Sequence, residues 1–187
     1  MNVTIATGND HKVKELRKAL EETEMTITQK PPSIHEIDAH DVETVAVQKV
    51  KDATSAINAD GPVLVDDTGL YVEALDEFPG SHASYFIERC GTDGLLTLME
   101  GKQDRHAWFK TTMALYYPRE DRVKTFSGRC DGTITVEKRG DAGFGYDPVF
   151  CPEGHDKTFA EDPAYKETVS HRVDALDGVR DHFMSRS

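Results

Sequence analysis

The sequence predicts an α/β fold built around a mixed β-sheet. Two observations carry this expectation. From Asn2 to Val65 the patterns of strand and helix alternate, and from Ala107 onward strand patterns follow one another directly. With 187 residues, the chain is long enough for one domain with a real core, or for two lobes that share a sheet.

The elements follow in order. Asn2–Thr7 reads as a strand broken by Gly8-Asn9. A helix comes next, with Val13, Leu16 and Leu20 at helical spacing. Residues 25–29 form a second strand, Pro31-Pro32-Ser33 a rigid loop, and Ile34 to Asp38 an extended segment with Glu36 opposite its two isoleucines. A helix spans about residues 41–59, with Val42, Val45, Val50, Ala53 and Ile57 on its apolar side. Asn58 to Pro62 supplies its stop signals. Pro62 to Val65 is a buried strand that ends in Asp66-Asp67, with extended chain continuing from Gly69 to Leu75. Phe78-Pro79-Gly80 reads as a turn, and helices are expected over residues 84–90 and 93–100. Ala107 to Tyr117 alternates as a long strand. Residues 122–129 and 133–138 are two further strands joined by a Cys130-Asp131-Gly132 turn. The last helix begins near Thr168 or Ser170, with Val169, Val173, Leu176 and Phe183 as its apolar stripe.

Composition removes several function classes. The net charge is −12, with 34 acidic against 22 Lys and Arg residues. A protein that coats nucleic acid would show the opposite balance. An acidic surface suits a high-salt habitat as well as it suits an ordinary acidic protein. No apolar run is long enough to span a membrane, and the N-terminus carries no signal peptide pattern. Cys90, Cys130 and Cys151 are an odd count without C-x-x-C spacing, so they read as reduced thiols of a cytoplasmic protein.

Three places suggest chemistry. Asp66 and Asp67 are adjacent on a strand, where neighbouring side chains point to opposite faces. At least one carboxylate is therefore held against the protein, and a divalent cation would offset that cost. Thr7-Gly8-Asn9 lies in a strand-to-helix turn, whose amides make an anion site. Lys12 follows one turn later. The plainer alternative is that Asn9 caps the helix while Lys12 and Glu15 form a solvated pair. Gly143-Phe144-Gly145-Tyr146-Asp147-Pro148 brackets an aromatic with glycines, which would let a flat ligand approach closely and stack. In addition, Lys166, His171 and Arg172 crowd the expected start of the last helix, where cations oppose the helix dipole.

Taken together these pieces resemble the inosine triphosphate pyrophosphatase family. The matching residues are Thr7-Gly8-Asn9-x-x-Lys12-x-x-Glu15, Val65-Asp66-Asp67-Thr68-Gly69-Leu70, Pro79-Gly80, Phe144-Gly145-Tyr146-Asp147-Pro148, Thr158-Phe159-Ala160-Glu161 and Ser170-His171-Arg172-x-x-Ala175-Leu176. Each is weak alone; the ordered set is specific. After Pro79-Gly80 the run Ser81-His82-Ala83-Ser84 departs from the Ser-Ala-Arg of many members.

The resemblance implies a long twisted mixed sheet flanked by helices. It also implies two lobes with a nucleotide cleft between them, all within one domain over residues 1–187. It implies hydrolysis of ITP, dITP and XTP to the monophosphate and pyrophosphate with Mg²⁺, by a cytoplasmic homodimer. Asp67 would be the general base, with Glu36, Asp66 and Asp67 as the metal carboxylates; which Asp does which is left open. Thr7, Gly8, Asn9, Lys12 and Lys49 would hold phosphates, and Thr68 would add a hydroxyl. Phe144 and Gly145 would meet the purine face, and Tyr146, Asp147, Lys166, His171 and Arg172 the base edge and sugar. The alternatives are a related pyrophosphatase acting on other modified or canonical nucleotides, and a non-catalytic nucleotide-binding module. The presence of Glu36, Asp66 and Asp67 argues against the last.

Overall fold

The structure is a computed structural model that describes residues 2–21, 25–35 and 37–185. Its strands are β1 (Asn2–Ile5), β2 (Thr26–Gln29), β3 (Val63–Val72), β4 (Pro79–Gly80), β5 (His106–Tyr117), β6 (Arg122–Ile134) and β7 (Phe150–Pro152). Its helices are α1 (Asp10–Ala19), α2 (Val42–Ala56), α3 (Ala83–Leu98), α4 (Pro163–Val169) and α5 (His171–Met184). The strands form one sheet in the order β2-β1-β3-β5-β6-β7, with β4 on β3. β1 runs parallel to both β2 and β3, whereas β4 is antiparallel to β3 and β7 to β6. The expected mixed α/β sheet is therefore present.

The chain divides into two compact units: residues 1–67, 112–127 and 174–187, and residues 68–111 and 128–173. In the first unit two apolar clusters are separated by strand alternation. Val13 and Leu16 of α1, with Leu20 just beyond its end, pack with Leu64 of β3, Leu115 of β5 and Leu176 of α5. Ala46, Val50 and Ala53 of α2 pack with Val63 and Val65 of β3 and Ala114 of β5. Each fully buried aliphatic side chain contributes about 1.5–3 kcal/mol. α1 and α2 start on side-chain caps. Asn9 Oδ1 accepts the Lys12 amide at 3.3 Å, and Asp41 Oδ2 accepts the amides of Glu43 and Thr44 at 3.1 and 3.2 Å. In the second unit, Leu70 and Val72 of β3, Phe86 and Leu95 of α3, Phe109 of β5, and Phe150 and Phe159 form the core.

Four expectations are corrected. β3 does not end at Asp66-Asp67; it runs on to Val72, because both carboxylates find cationic partners without leaving the sheet. Pro79-Gly80 is a short strand, paired through Tyr71↔Pro79 and Leu70↔Gly80, rather than only a turn. Cys130-Asp131-Gly132 is no turn either, since β6 is continuous from Arg122 to Ile134. Gly132 is needed for close approach: a methyl there would overlap the Cys151 carbonyl oxygen of β7 and come 2.7 Å from Phe150 Cζ. Finally, the last helix starts at His171, and a short helix that was not expected, α4, precedes it. Asp162 caps α4 through the Tyr165 amide, Pro163 takes its first position, and extended Ser170 separates it from α5. Lys166 thus sits in the last turn of α4, where its charge suits the helix dipole. The two expected helices over residues 84–100 are present within α3, broken at Gly91, whose φ of 64° and ψ of −175° belong to glycine.

Candidate active site

In the first unit the site grows from the alternation of β3. Leu64 faces the cluster of α1 and α5, while Val63 and Val65 face α2. Period two then places Asp66 on the α1 side and Asp67 on the α2 side. The ion pairs agree. Lys12 Nζ of α1 lies 2.7 Å from Asp66 Oδ2, and Lys49 Nζ of α2 lies 3.3 Å from Asp67 Oδ1. Both carboxylates are buried, at 9% and 8% exposure. Each cost of burying a charge is thus offset by an ammonium. Lys12 is therefore engaged with a buried acid and is more than a surface residue.

The turn before α1 is internally braced. The Asn9 amide donates to Thr7 Oγ1 at 3.2 Å, and Gln29 Nε2 donates to the Thr7 carbonyl at 3.3 Å. Gly8 and Asn9 are exposed. Thr7, Gly8, Asn9 and Lys12 are therefore brought together as expected from the sequence, beside Asp66. Glu36 lies outside the described residues.

A second group is gathered in the second unit. Asp147 is 3% exposed. Its two oxygens receive Lys166 Nζ at 2.9 and 2.7 Å, and Oδ2 also accepts the Phe144 amide at 2.9 Å. Gly143 must be glycine, because φ is +77° and a Cβ would overlap Asp147 Oδ2. The same ammonium lies over the Phe144 ring, 4.4 Å from its centroid, and Phe144 is 72% exposed. Gly145, at φ +61°, has open space where a Cβ would be. His171 opens α5 and stacks on Phe109 of β5, with ring centroids 4.7 Å apart and planes 20° from parallel. Half-buried Arg172 follows it.

Two of the expected site residues also make contacts within the protein. Tyr146 is 5% exposed and donates its hydroxyl to the Ala83 carbonyl at 2.8 Å, so it braces the loop from the core. Burial pushes that hydroxyl's pKa up, which keeps it a neutral donor. Thr68 shares a 2.7 Å hydroxyl contact with Thr111 of β5. Sequence reasoning missed Phe109 and Thr111. Both are contacts between distant parts of the chain, and neither carries a local signal.

A mixed sheet flanked by helices, with buried acid–ammonium pairs on an inner strand and a braced anion turn beside them, defines an α/β framework suited to phosphate chemistry. The chain belongs to the Ham1 family, whose sequence profile matches residues 3–182. A dITP/XTP pyrophosphatase of Thermococcus kodakarensis is 41% identical over 177 residues, 94% of each chain. One of Hyperthermus butylicus is 41% identical over 171 residues, covering 91% of this chain and 88% of its own. Among solved structures, a HAM1 protein from Coxiella burnetii superposes with a TM-score of 0.90 at 30% identity, over all of both chains.

Proposed function

We propose that this protein hydrolyses non-canonical purine nucleoside triphosphates, dITP, ITP and XTP, to the monophosphate and pyrophosphate. The observation that carries the reading is the buried Asp67 carboxylate beside the Lys49 ammonium, on a strand whose next acid holds Lys12. The near full-length identity to proteins named dITP/XTP pyrophosphatase supports the substrate class.

The reaction calls for Mg²⁺. Asp67 supplies the hard oxygen donor such a cation takes. Among the described residues no group of three or more His, Cys, Asp and Glu could hold a metal. The resemblance adds Glu36. When bound, Mg²⁺ would neutralise phosphate charge and make a coordinated water more acidic. Asp67 would take the proton of the attacking water. The exposed turn at Gly8 and Asn9, with Lys12 and Lys49, would receive phosphate oxygens. Phe144 would stack on the purine, and His171 and Arg172, with Lys166 beside them, would donate to the 6-keto oxygen. Adenine presents an amine there and would leave those donors unpaired, which discriminates strongly.

The proposal extends to a cytoplasmic homodimer. The three free cysteines fit a reducing compartment, and light scattering on the purified protein reads its mass. The decisive test is product analysis from ITP with Mg²⁺. Inosine monophosphate with pyrophosphate is expected; inosine diphosphate with phosphate would refute the reading.

A further inference from the structure

We infer that Asp66 is a positioning residue for the Lys12 ammonium and is not a metal ligand. This rests on the reading above, in which Lys12 receives a substrate phosphate.

The argument begins with parity along β3. Asp66 shares a face with Leu64, which packs with α1, and Asp67 shares one with Val65, which packs with α2. The two carboxylates are therefore directed to opposite sides of the sheet. A Mg²⁺ ion takes oxygens at about 2.0–2.1 Å in near-ideal octahedral geometry. One ion does not readily take both members of such a pair, and of the two it is Asp66 whose oxygen an ammonium holds more closely.

What Asp66 does hold is explicit. Lys12 Nζ lies 2.7 Å from Asp66 Oδ2, closer than the 3.3 Å of Lys49 to Asp67. Lys12 projects from the first turn of α1, directly after the Asn9 cap and the exposed Gly8. An unrestrained lysine there would have many rotamers to lose when a phosphate arrives. Asp66, only 10% exposed at its side chain, pins the ammonium beside the anion turn beforehand, so that part of the ordering precedes binding.

The experiment pairs two readouts. One is Mn²⁺ binding without nucleotide, followed by electron paramagnetic resonance. The other is steady-state kinetics on ITP with saturating Mg²⁺. Four variants are compared with wild type: Asp66→Asn, Lys12→Ala, the double variant, and Asp67→Asn. Asp66→Asn should keep the Mn²⁺ dissociation constant within about twofold, because a second-face carboxylate touches no metal. Its KM for ITP should rise about tenfold, the equivalent of one rotamer-rich side chain left unordered. The double variant should be no worse than Lys12→Ala, since each change removes the same device. Asp67→Asn should lose Mn²⁺.

A Mn²⁺ dissociation constant weakened tenfold or more by Asp66→Asn would overturn the inference, as would additive KM losses. A purely structural Asp66 would lower stability without the shared KM effect. Should Asp66→Asn fold poorly, the double variant, which buries no unpaired charge, still decides against Lys12→Ala. The Mn²⁺ arm uses no nucleotide, so its result is separate from whether ITP yields inosine monophosphate.

Discussion

Replacing Lys166 with Met should destabilise the protein sharply while leaving its shape intact. Asp147 is 5% exposed at its side chain and receives Lys166 Nζ on both oxygens, at 2.9 and 2.7 Å. Met fills the volume of the lysine stem but leaves a buried carboxylate that still accepts from the Phe144 amide. Breaking a buried pair from one side costs about 3–5 kcal/mol. Lys166 is 21% exposed, so water partly replaces it and about 3 kcal/mol is the better figure. For a chain of this length each kcal/mol lowers the melting temperature by about 2–4 °C, giving a fall of about 6–12 °C. Adding Asp147→Asn should restore most of it, since the amide stays bonded to the Phe144 amide without a charge to bury. Calorimetry on wild type, the two single variants and the double variant gives the coupling directly. A fall under about 2 °C for Lys166→Met, or a double variant no more stable than the single, would refute the account.

Asp67→Asn should lose about 10²–10⁴ in turnover of ITP, measured by pyrophosphate release at a temperature where the variant stays folded; unchanged turnover would remove Asp67 from the chemistry. Arg172→Ala should lower kcat/KM for ITP by about ten- to a hundredfold, the worth of a charged hydrogen bond, and change the poor rate on ATP much less. An equal fall for both nucleotides would assign Arg172 to phosphate or ribose. Arg129 donates to both oxygens of Asp131 and holds that carboxyl below its usual range against the opposing pull of burial. A depressed carboxylate stabilises above its unfolded value and loses that contribution as pH falls through the folded one. The stability gap between wild type and Asp131→Asn, read by urea titration, should therefore be full at neutral pH and close below about pH 4; a gap independent of pH would show that the charge contributes nothing.

What the sequence revealed and what it hid follow physical lines. α1 and α2 were legible because stripe and cap lie within a few residues of one another: Val13, Leu16 and Leu20 with Asn9, and Val42, Val45 and Val50 with Asp41. β3 looked finished at Asp66 because two acids in a row read as a stop. What sustains the strand is a pair of lysines 54 and 18 residues away along the chain. Gly132 looked like a turn because glycine signals both turns and crowding, and only the position of β7 tells them apart. α4 was missed although Asp162-Pro163 is a start signal, because its apolar residues are few. In the site, the residue types around Asp67 and Asp147 were readable from motifs. The stacking of His171 on Phe109 was not, because β5 and α5 are joined only by the fold.

The division of Asp66 and Asp67 between two sides of β3 has a bearing on which edits the chain can survive. A substitution at either position removes one contact. The loss or gain of one residue between Val63 and Asp67 would reverse the parity of everything on one side of the change. If the residues after the change shift, the acid meant for Lys49 would be presented to Lys12; if those before it shift, Val63 and Val65 would trade sides with Leu64. Composition here can drift while length cannot: over these five positions the number of residues is itself the specification.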